Sequence, residues 1–325
     1  MVPYSGNRAL VEGAFFAAIT VVLGLLGLYI PPLLFFTTLL MPIPLAVLVR
    51  RRDLKLGLMA LAVAAALMFM LFGRPLTVLL LIIQSGPMGL LLGLLFKNRV
   101  SAGPAIAAAS VVAVVTTVLT FLISFWVTGI NPFDMGEEMK QSMDRALDWY
   151  TQSGLVDAAA REQFRESMEQ MARLFALLLP ANMVIWSLIS TYITYALNRL
   201  VLIKLRYETT PLPSFSRWKF PWYVIWGGIL GLGTLLLGDE LKIAGMATLG
   251  KNIIYVMGFL HFILGLSVFT YFIKRWKIAR GFKILIVVMV GIYWPFALSV
   301  MLTLGVMDPV MDLRRLGRDD TTKGG

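Results

Sequence analysis

The stretch LTVLLLIIQSGPMGLLLGLLF, Leu76 to Phe96, decides how the chain is read. It is as long as the roughly 20 apolar residues needed to cross a bilayer. Gln84-Ser85-Gly86-Pro87 interrupts it midway. Pro87 has no amide hydrogen and crowds the carbonyl one turn earlier, while Gly86 adds freedom. Backbone groups released there must find partners inside the protein, because lipid offers none. An interrupted span with a polar side chain at depth points to a membrane binding site. The alternative is a packing kink, since Pro and Gly are common in membrane helices. Both readings stay open on this stretch alone.

The surrounding composition agrees with a membrane setting. Of 325 residues, 58% are hydrophobic and only 14% charged, against about a quarter charged in soluble domains. The chain is therefore a polytopic membrane protein. The absence of cysteine excludes disulfides, thiolate metal sites and cysteine nucleophiles. The single histidine, His261, excludes HExxH and any paired-histidine metal site. A formal net charge of +11 raises the question of nucleic acid. The basic residues, however, sit in short loops between apolar runs and act as topology signals, so no nucleic-acid partner is expected. Arg8 precedes a long apolar run, but Tyr29-Ile30-Pro31-Pro32 follows it without a small-x-small cleavage site, so this run reads as a span.

The expected fold is all-α, a polytopic transmembrane helix bundle of about nine spans. They cover Leu10 to Ile30, Leu33 to Val49, Leu54 to Phe72, Leu76 to Phe96, Gly103 to Ile130, Leu174 to Ile203, Trp222 to Leu237, Asn252 to Ile273 and Ile284 to Val306. Residues 1–203 form a six-span membrane core with an extracytoplasmic insert at 131–173. A cytoplasmic interfacial linker follows at 204–221, then a three-span region at 222–306 and a polar, disordered tail at 307–325. Span two is short and carries Pro42 and Pro44; a re-entrant segment there would move every later loop to the other side. With the N-terminus in the cytoplasm, 17 of the 29 Lys and Arg residues fall on the cytoplasmic side, and the short outer turns keep only Arg74, Lys242 and Lys251. This is the positive-inside pattern of a multi-pass protein of the bacterial cytoplasmic membrane. An odd number of crossings leaves the two chain ends in different compartments.

In the insert, Met139, Met143, Leu147 and Tyr150 recur at helical spacing, as do Phe164, Met168, Met171 and Phe175. Ser153-Gly154 between them suits a helix stop. An extracytoplasmic helical hairpin is expected, either capping the bundle or lying on the membrane or a neighbour. The linker segment PLPSFSRWKFPW, Pro211 to Trp222, suits the headgroup zone. Gly89 and Gly93 in span four, Gly227 and Gly231 in span seven, and Ala9, Gly13 and Ala17 beside Ala14 and Ala18 in span one have the spacing of closely approaching helices.

No P-loop, Gly-x-Ser-x-Gly motif, paired histidines or mid-depth carboxylate is written in the chain, so no enzyme, metal or cofactor is expected. His261 reads as a hydrogen-bonded packing residue. Uncharged polar and aromatic residues are the better candidates. Gln84, Ser85, Ser124, Trp126, Asn182 and Trp186 fall in the outer halves of spans four to six, and Tyr29 closes span one on the same side. A ring of amide, hydroxyl and indole groups there suits a small neutral or zwitterionic solute. The alternative is scattered interhelical hydrogen bonds, worth about 0.6 kcal/mol each on average.

MPIPLAVLVRRRDLKLG (Met41 to Gly57), PLPSFSRWKFPW and Gly265-Leu266-Ser267 resemble the YybS-like family of uncharacterised bacterial membrane proteins over essentially the whole chain. The first six spans are also similar to the S components of energy-coupling-factor transporters. That similarity implies capture of a small solute from outside and a transmembrane coupling protein with ATPases as partners. It also implies a small-residue patch facing the coupling protein, matched here by Ala14 and Ala18. The hairpin, the three additional spans and the missing substrate signature depart from that pattern. A solute-binding transport component is the leading expectation; a non-transporting scaffold or regulator of other membrane proteins is the alternative.

Overall fold

The structure, a computed structural model, describes residues 4–129, 137–154 and 158–316. Helix α1 (Tyr4–Tyr29) leads through a short turn (Pro31–Leu33) into α2 (Leu34–Leu40) and α3 (Pro42–Arg51). Next come α4 (Leu54–Phe72), α5 (Pro75–Lys97), α6 (Ala102–Thr128), α7 (Glu137–Gln152) and α8 (Ala158–Lys204). The chain continues with α9 (Ile225–Glu240), α10 (Ala244–Arg275), α11 (Arg280–Ile292) and α12 (Trp294–Met311). No strand occurs among the described residues, and nine helices among them are long and apolar enough to cross a bilayer.

Several expectations change. Pro87 does not break the fourth span: α5 runs through it as one helix. The only amide that proline removes there is its own, and Gly86 meets Leu61 rather than open space. The second span holds, and Pro42 and Pro44 fall in the first turn of α3, where a missing amide costs no intrahelical bond. The expected span from Ile284 to Val306 is divided at Tyr293 into α11 and α12. The tail expected to be disordered after Val306 instead continues as helix to Met311 and buries Asp308 and Arg314; the tail beyond residue 316 lies outside the described residues.

Contacts divide the chain into two compact units, one of Met1–Asp134 with Met183–Leu212, the other of Met135–Asn182 with Pro213–Gly325. The insert thus groups with the C-terminal helices, where sequence placed it with the first six spans. The linker is shared between the units, changing allegiance at Pro213.

In the first unit, α3 is the central element. Every residue from Pro42 to Val49 is buried, as an all-round apolar helix of a core should be. Helix α5 reaches it through Gly89 and Gly93, where an added Cβ would lie 2.7 Å from the Pro42 carbonyl and 2.8 Å from the Ala46 carbonyl. Gly13 and Gly24 do the same for α1, meeting Leu56 and Met68 of α4. The ends of α4 are set locally: Asp53 accepts the Leu56 amide at 2.8 Å, and Gly73 takes the left-handed conformation at φ 70.

In the second unit, α7 and α8 form the expected hairpin. Gly154 (φ 73) ends the first arm, Arg161 pairs with Asp148, and the Tyr150 and Phe164 rings lie 6.1 Å apart. Phe164, Met171 and Phe175 are exposed, whereas Leu147 is buried; the side chains of Met139 and Met143 lie outside the described residues. The second arm does not end with the insert. α8 is one helix of 47 residues, so the insert and the sixth span share a single axis element. Gly227 and Gly231 of α9 meet Met257 and Ile253 of α10. The closest approach is between α10 and α12: a Cβ at Gly265 would lie 1.8 Å from the Met301 carbonyl, and one at Gly305 1.8 Å from the His261 carbonyl.

Gly265→Ala should therefore force α10 and α12 apart and destabilise the purified protein by about 1–3 kcal/mol. Gly103→Ala, which meets nothing within 4 Å, should leave the thermal midpoint unchanged. Equal midpoints for the two variants would refute the close-approach argument.

Candidate functional site

Gln84 of α5 is half-buried, and its amide joins three helices of the first unit. Its Nε2 donates to Thr117 Oγ1 of α6 at 3.0 Å, and Thr117 Oγ1 lies 3.0 Å from Ser187 Oγ of α8. Thr120 Oγ1 donates to Gln84 Oε1 at 3.4 Å. Next along α5, Ser85 is 2% exposed and its hydroxyl has no hydrogen-bond partner among the described residues.

The other expected site residues do not converge there. Trp126 is 86% exposed, on an outward face of α6 shared with Leu122 and Phe125. Ser124 is half-buried, and its carbonyl accepts from Thr128. Tyr29 is exposed, and its hydroxyl donates to the Leu71 carbonyl at 2.7 Å. Trp186 is exposed and packs edge-on to Phe35 at 6.5 Å. Asn182 is half-buried in the second unit. Ala14 and Ala18 lie exposed on α1, beside Val11, Phe15 and Val22. A cavity of ≈ 190 Å³ lies between α7 and α8, lined by Asp144, Leu147, Arg161, Glu162 and Arg165; it is smaller than the roughly 300–1,000 Å³ usual for small-molecule sites.

Two polar arrangements in the second unit escaped the sequence reading. The first is at Pro180, within α8. Asn252 of α10 accepts the Ala181 amide through Oδ1 and donates to the Leu177 carbonyl through Nδ2, both at 2.9 Å. A regular helix would pair those two backbone groups with each other. The Asn252 side chain thus mends the helix where proline strains it, and a neutral amide opposite a mid-helix proline is the signal that could have revealed it. His261, close by on α10, sits with Nδ1 2.7 Å from the Met257 carbonyl, a satisfied packing residue.

The second arrangement centres on Arg314, which is 2% exposed. It pairs with the equally buried Asp308 at 2.7 Å, and donates to the Ser216 carbonyl at 2.9 Å, the Trp218 carbonyl at 2.5 Å and Ser267 Oγ at 2.9 Å. Ser267 in turn donates to the Phe215 carbonyl at 2.6 Å. The guanidinium fork suits this role because it offers five donors in a fixed plane. Only long-range geometry joins these residues; sequence spacing carries no trace beyond an acid six positions before a base.

At the basic end of the first unit, Glu12 of α1 pairs with Arg51 at 3.2 Å and Arg52 at 2.7 Å. The Glu12 hydrogen bond holds the Arg52 guanidinium above its ordinary range. The guanidinium of Arg50 lies 5.2 Å above the Tyr207 ring.

A family model described as "Predicted membrane protein (DUF2232)" matches residues 18–309. The chain belongs to that family. "Uncharacterized protein YybS" of Bacillus subtilis (strain 168) is 26% identical over 311 residues, spanning 95% of this chain and 98% of that protein. The YybS-like resemblance is borne out, and with it a multi-pass membrane protein. No solved structure matches. Two of the marks that carried the resemblance meet in space, since the linker segment and Gly265-Leu266-Ser267 are joined through Ser267 and Arg314. The third, Met41 to Gly57, contains the buried helix α3.

Arg314→Met should cost about 3–5 kcal/mol by stranding the Asp308 carboxylate. It should also open the linker to trypsin at Arg217 and Lys219. Asp308→Asn combined with Arg314→Met should recover part of the loss, and Arg315→Met, at an exposed position, should change neither reading. A linker equally protected in Arg314→Met would show that the clip does not hold it.

Proposed function

We propose that the first unit captures a small neutral or zwitterionic solute within the membrane, as a binding component of a transport system resembling the S components of energy-coupling-factor transporters. The observation that carries this reading is the Gln84–Thr117–Ser187 network, tied to Thr120 and bordered by the unpartnered Ser85 hydroxyl. Amide and hydroxyl groups of both donor and acceptor type, spread over three helices, can exchange their mutual bonds for bonds to a solute. The exposed Ala14 and Ala18 supply a small-residue strip, beside Val11, Phe15 and Val22, for a transmembrane coupling protein with its ATPases. The reading is non-enzymatic, with the N-terminus on the cytoplasmic side by the distribution of basic residues.

A scaffold or regulator of other membrane proteins is the second reading. The exposed Phe164, Met171 and Phe175 on the outer arm of α8 favour it. The linker favours it less, because Arg314 already occupies the carbonyls of Ser216 and Trp218.

A thermal-shift screen of vitamin-sized solutes on the purified protein tests the first reading. A binding solute should raise the wild-type midpoint, and Gln84→Ala or Thr117→Ala should weaken its binding about tenfold, the equivalent of roughly 1.4 kcal/mol. Asn182→Ala should leave that binding unchanged. Responses that are the same for wild type and both network variants across the panel would remove the site. Ala14→Leu should reduce recovery of a coupling protein and ATPases after crosslinking in cells; recovery of envelope or signalling proteins instead would favour the scaffold.

A further inference from the structure

The direction of each helix in the second unit can be followed from its contacts. Gly238 meets Ala247, Gly250 meets Leu235, Gly231 meets Ile253 and Gly227 meets Met257, so α9 and α10 are antiparallel. Helix α9 leaves the linker end, directly after Trp222–Val224, and α10 returns to it, where Ser267 bonds the Phe215 carbonyl. Helix α11 starts a few residues after α10 ends, at that same end. The end of α12 is there too: Arg314 binds the carbonyls of Ser216 and Trp218, Tyr271 Oη donates to the Arg314 carbonyl at 3.3 Å, and Lys219 pairs with Asp312 at 3.4 Å.

The chain therefore goes out along α11 and comes back along α12. With 13 residues, α11 rises roughly 20 Å, short of a hydrocarbon core about 30 Å thick. The reversal sits beside the body of α10, where the Trp294 ring lies edge-on to Phe262 at 5.8 Å. Both backbone groups of Tyr293 are paired. The Tyr293 amide donates to the Met289 carbonyl and the Tyr293 carbonyl accepts from the Ala297 amide, each at 2.9 Å. Pro295 falls in the first turn of α12, where no amide is needed. A reversal within hydrocarbon requires this kind of internal satisfaction.

We infer that α11 and α12 form a re-entrant hairpin, entering the membrane from the linker face and leaving by it, so that residues 312–316 lie on the same side as Pro213 to Trp218. The ninth apolar helix then makes no crossing of its own, in place of the odd number of crossings expected from sequence. Basic residues agree. Arg314 and Arg315 join the 17 already assigned to the basic face, rather than opposing them.

The natural absence of cysteine makes the test direct. Single-cysteine variants Ser214→Cys in the linker, Lys242→Cys in the α9–α10 turn and Thr322→Cys in the tail are probed with a membrane-impermeant maleimide in intact cells and in inverted vesicles. The expected result is that Thr322→Cys and Ser214→Cys react in one preparation and Lys242→Cys in the other. Thr322→Cys reacting together with Lys242→Cys, or equally in both preparations, would overturn the hairpin. An epitope fused after Gly325, read by antibody in the same two preparations, gives the same decision if the tail cysteine perturbs folding.

Discussion

Hydrocarbon offers no hydrogen-bond partner, so each polar group this chain carries into the membrane must be answered by the chain itself. That constraint organises the second unit. At Pro180 the answer is the Asn252 side chain, which serves one amide and one carbonyl at once. At the linker end it is Arg314, whose donors reach Asp308, Ser267 and two linker carbonyls. At the Tyr293 reversal it is the backbone itself. The first unit meets the same demand largely with neutral side chains; the Ser85 hydroxyl, like Arg50 Nε and Asn198 Oδ1, is buried without a partner among the described residues, and its place beside Gln84 gives the network its functional interest.

Apolar helices in lipid gain little from mere hydrophobicity, so they are held by close van der Waals approach. Glycine sets the distance. Gly89 and Gly93 bring α5 onto α3, and Gly265 and Gly305 bring the backbones of α10 and α12 into direct contact. These positions fix the core around α3 and the course of α12. In the second unit, the packing that orders α10 and α12 also positions Ser267 and Arg314 for their shared bonds.

Much of the fold was legible because a span's length and apolarity are local properties: the first eight spans and the glycine pairs could be read directly. The features that misled were those in which neighbours override local pattern. Residues 284–306 carry no charge, and nothing in hydropathy marks the reversal that Trp294 and Phe262 help to fix. The charged residues between Arg161 and Arg173 read as a separate insert, although i to i+4 pairs such as Arg173 with Glu169 let α8 continue as helix through them. Gln84 stood out as an amide at depth. Its partners Thr117 and Thr120, and Ser187 beyond Thr117, did not, because hydroxyl residues in helices commonly bond their own preceding turn, as Thr120 also does to Thr116. Trp126 and Tyr29 were expected at the same depth as Gln84, but both side chains are exposed rather than turned into the unit.

The mend at Pro180 also bears on how the protein is made. Asn252 lies 75 residues beyond Leu177 along the chain, so the ribosome delivers the strained part of α8 well before the side chain that completes it. Until α10 enters the bilayer, the Leu177 carbonyl and Ala181 amide have only each other, at the turn that Pro180 strains. Biogenesis of the sixth span is thereby tied to that of the eighth, and a nascent chain arrested before residue 252 leaves the membrane holding an unfinished helix.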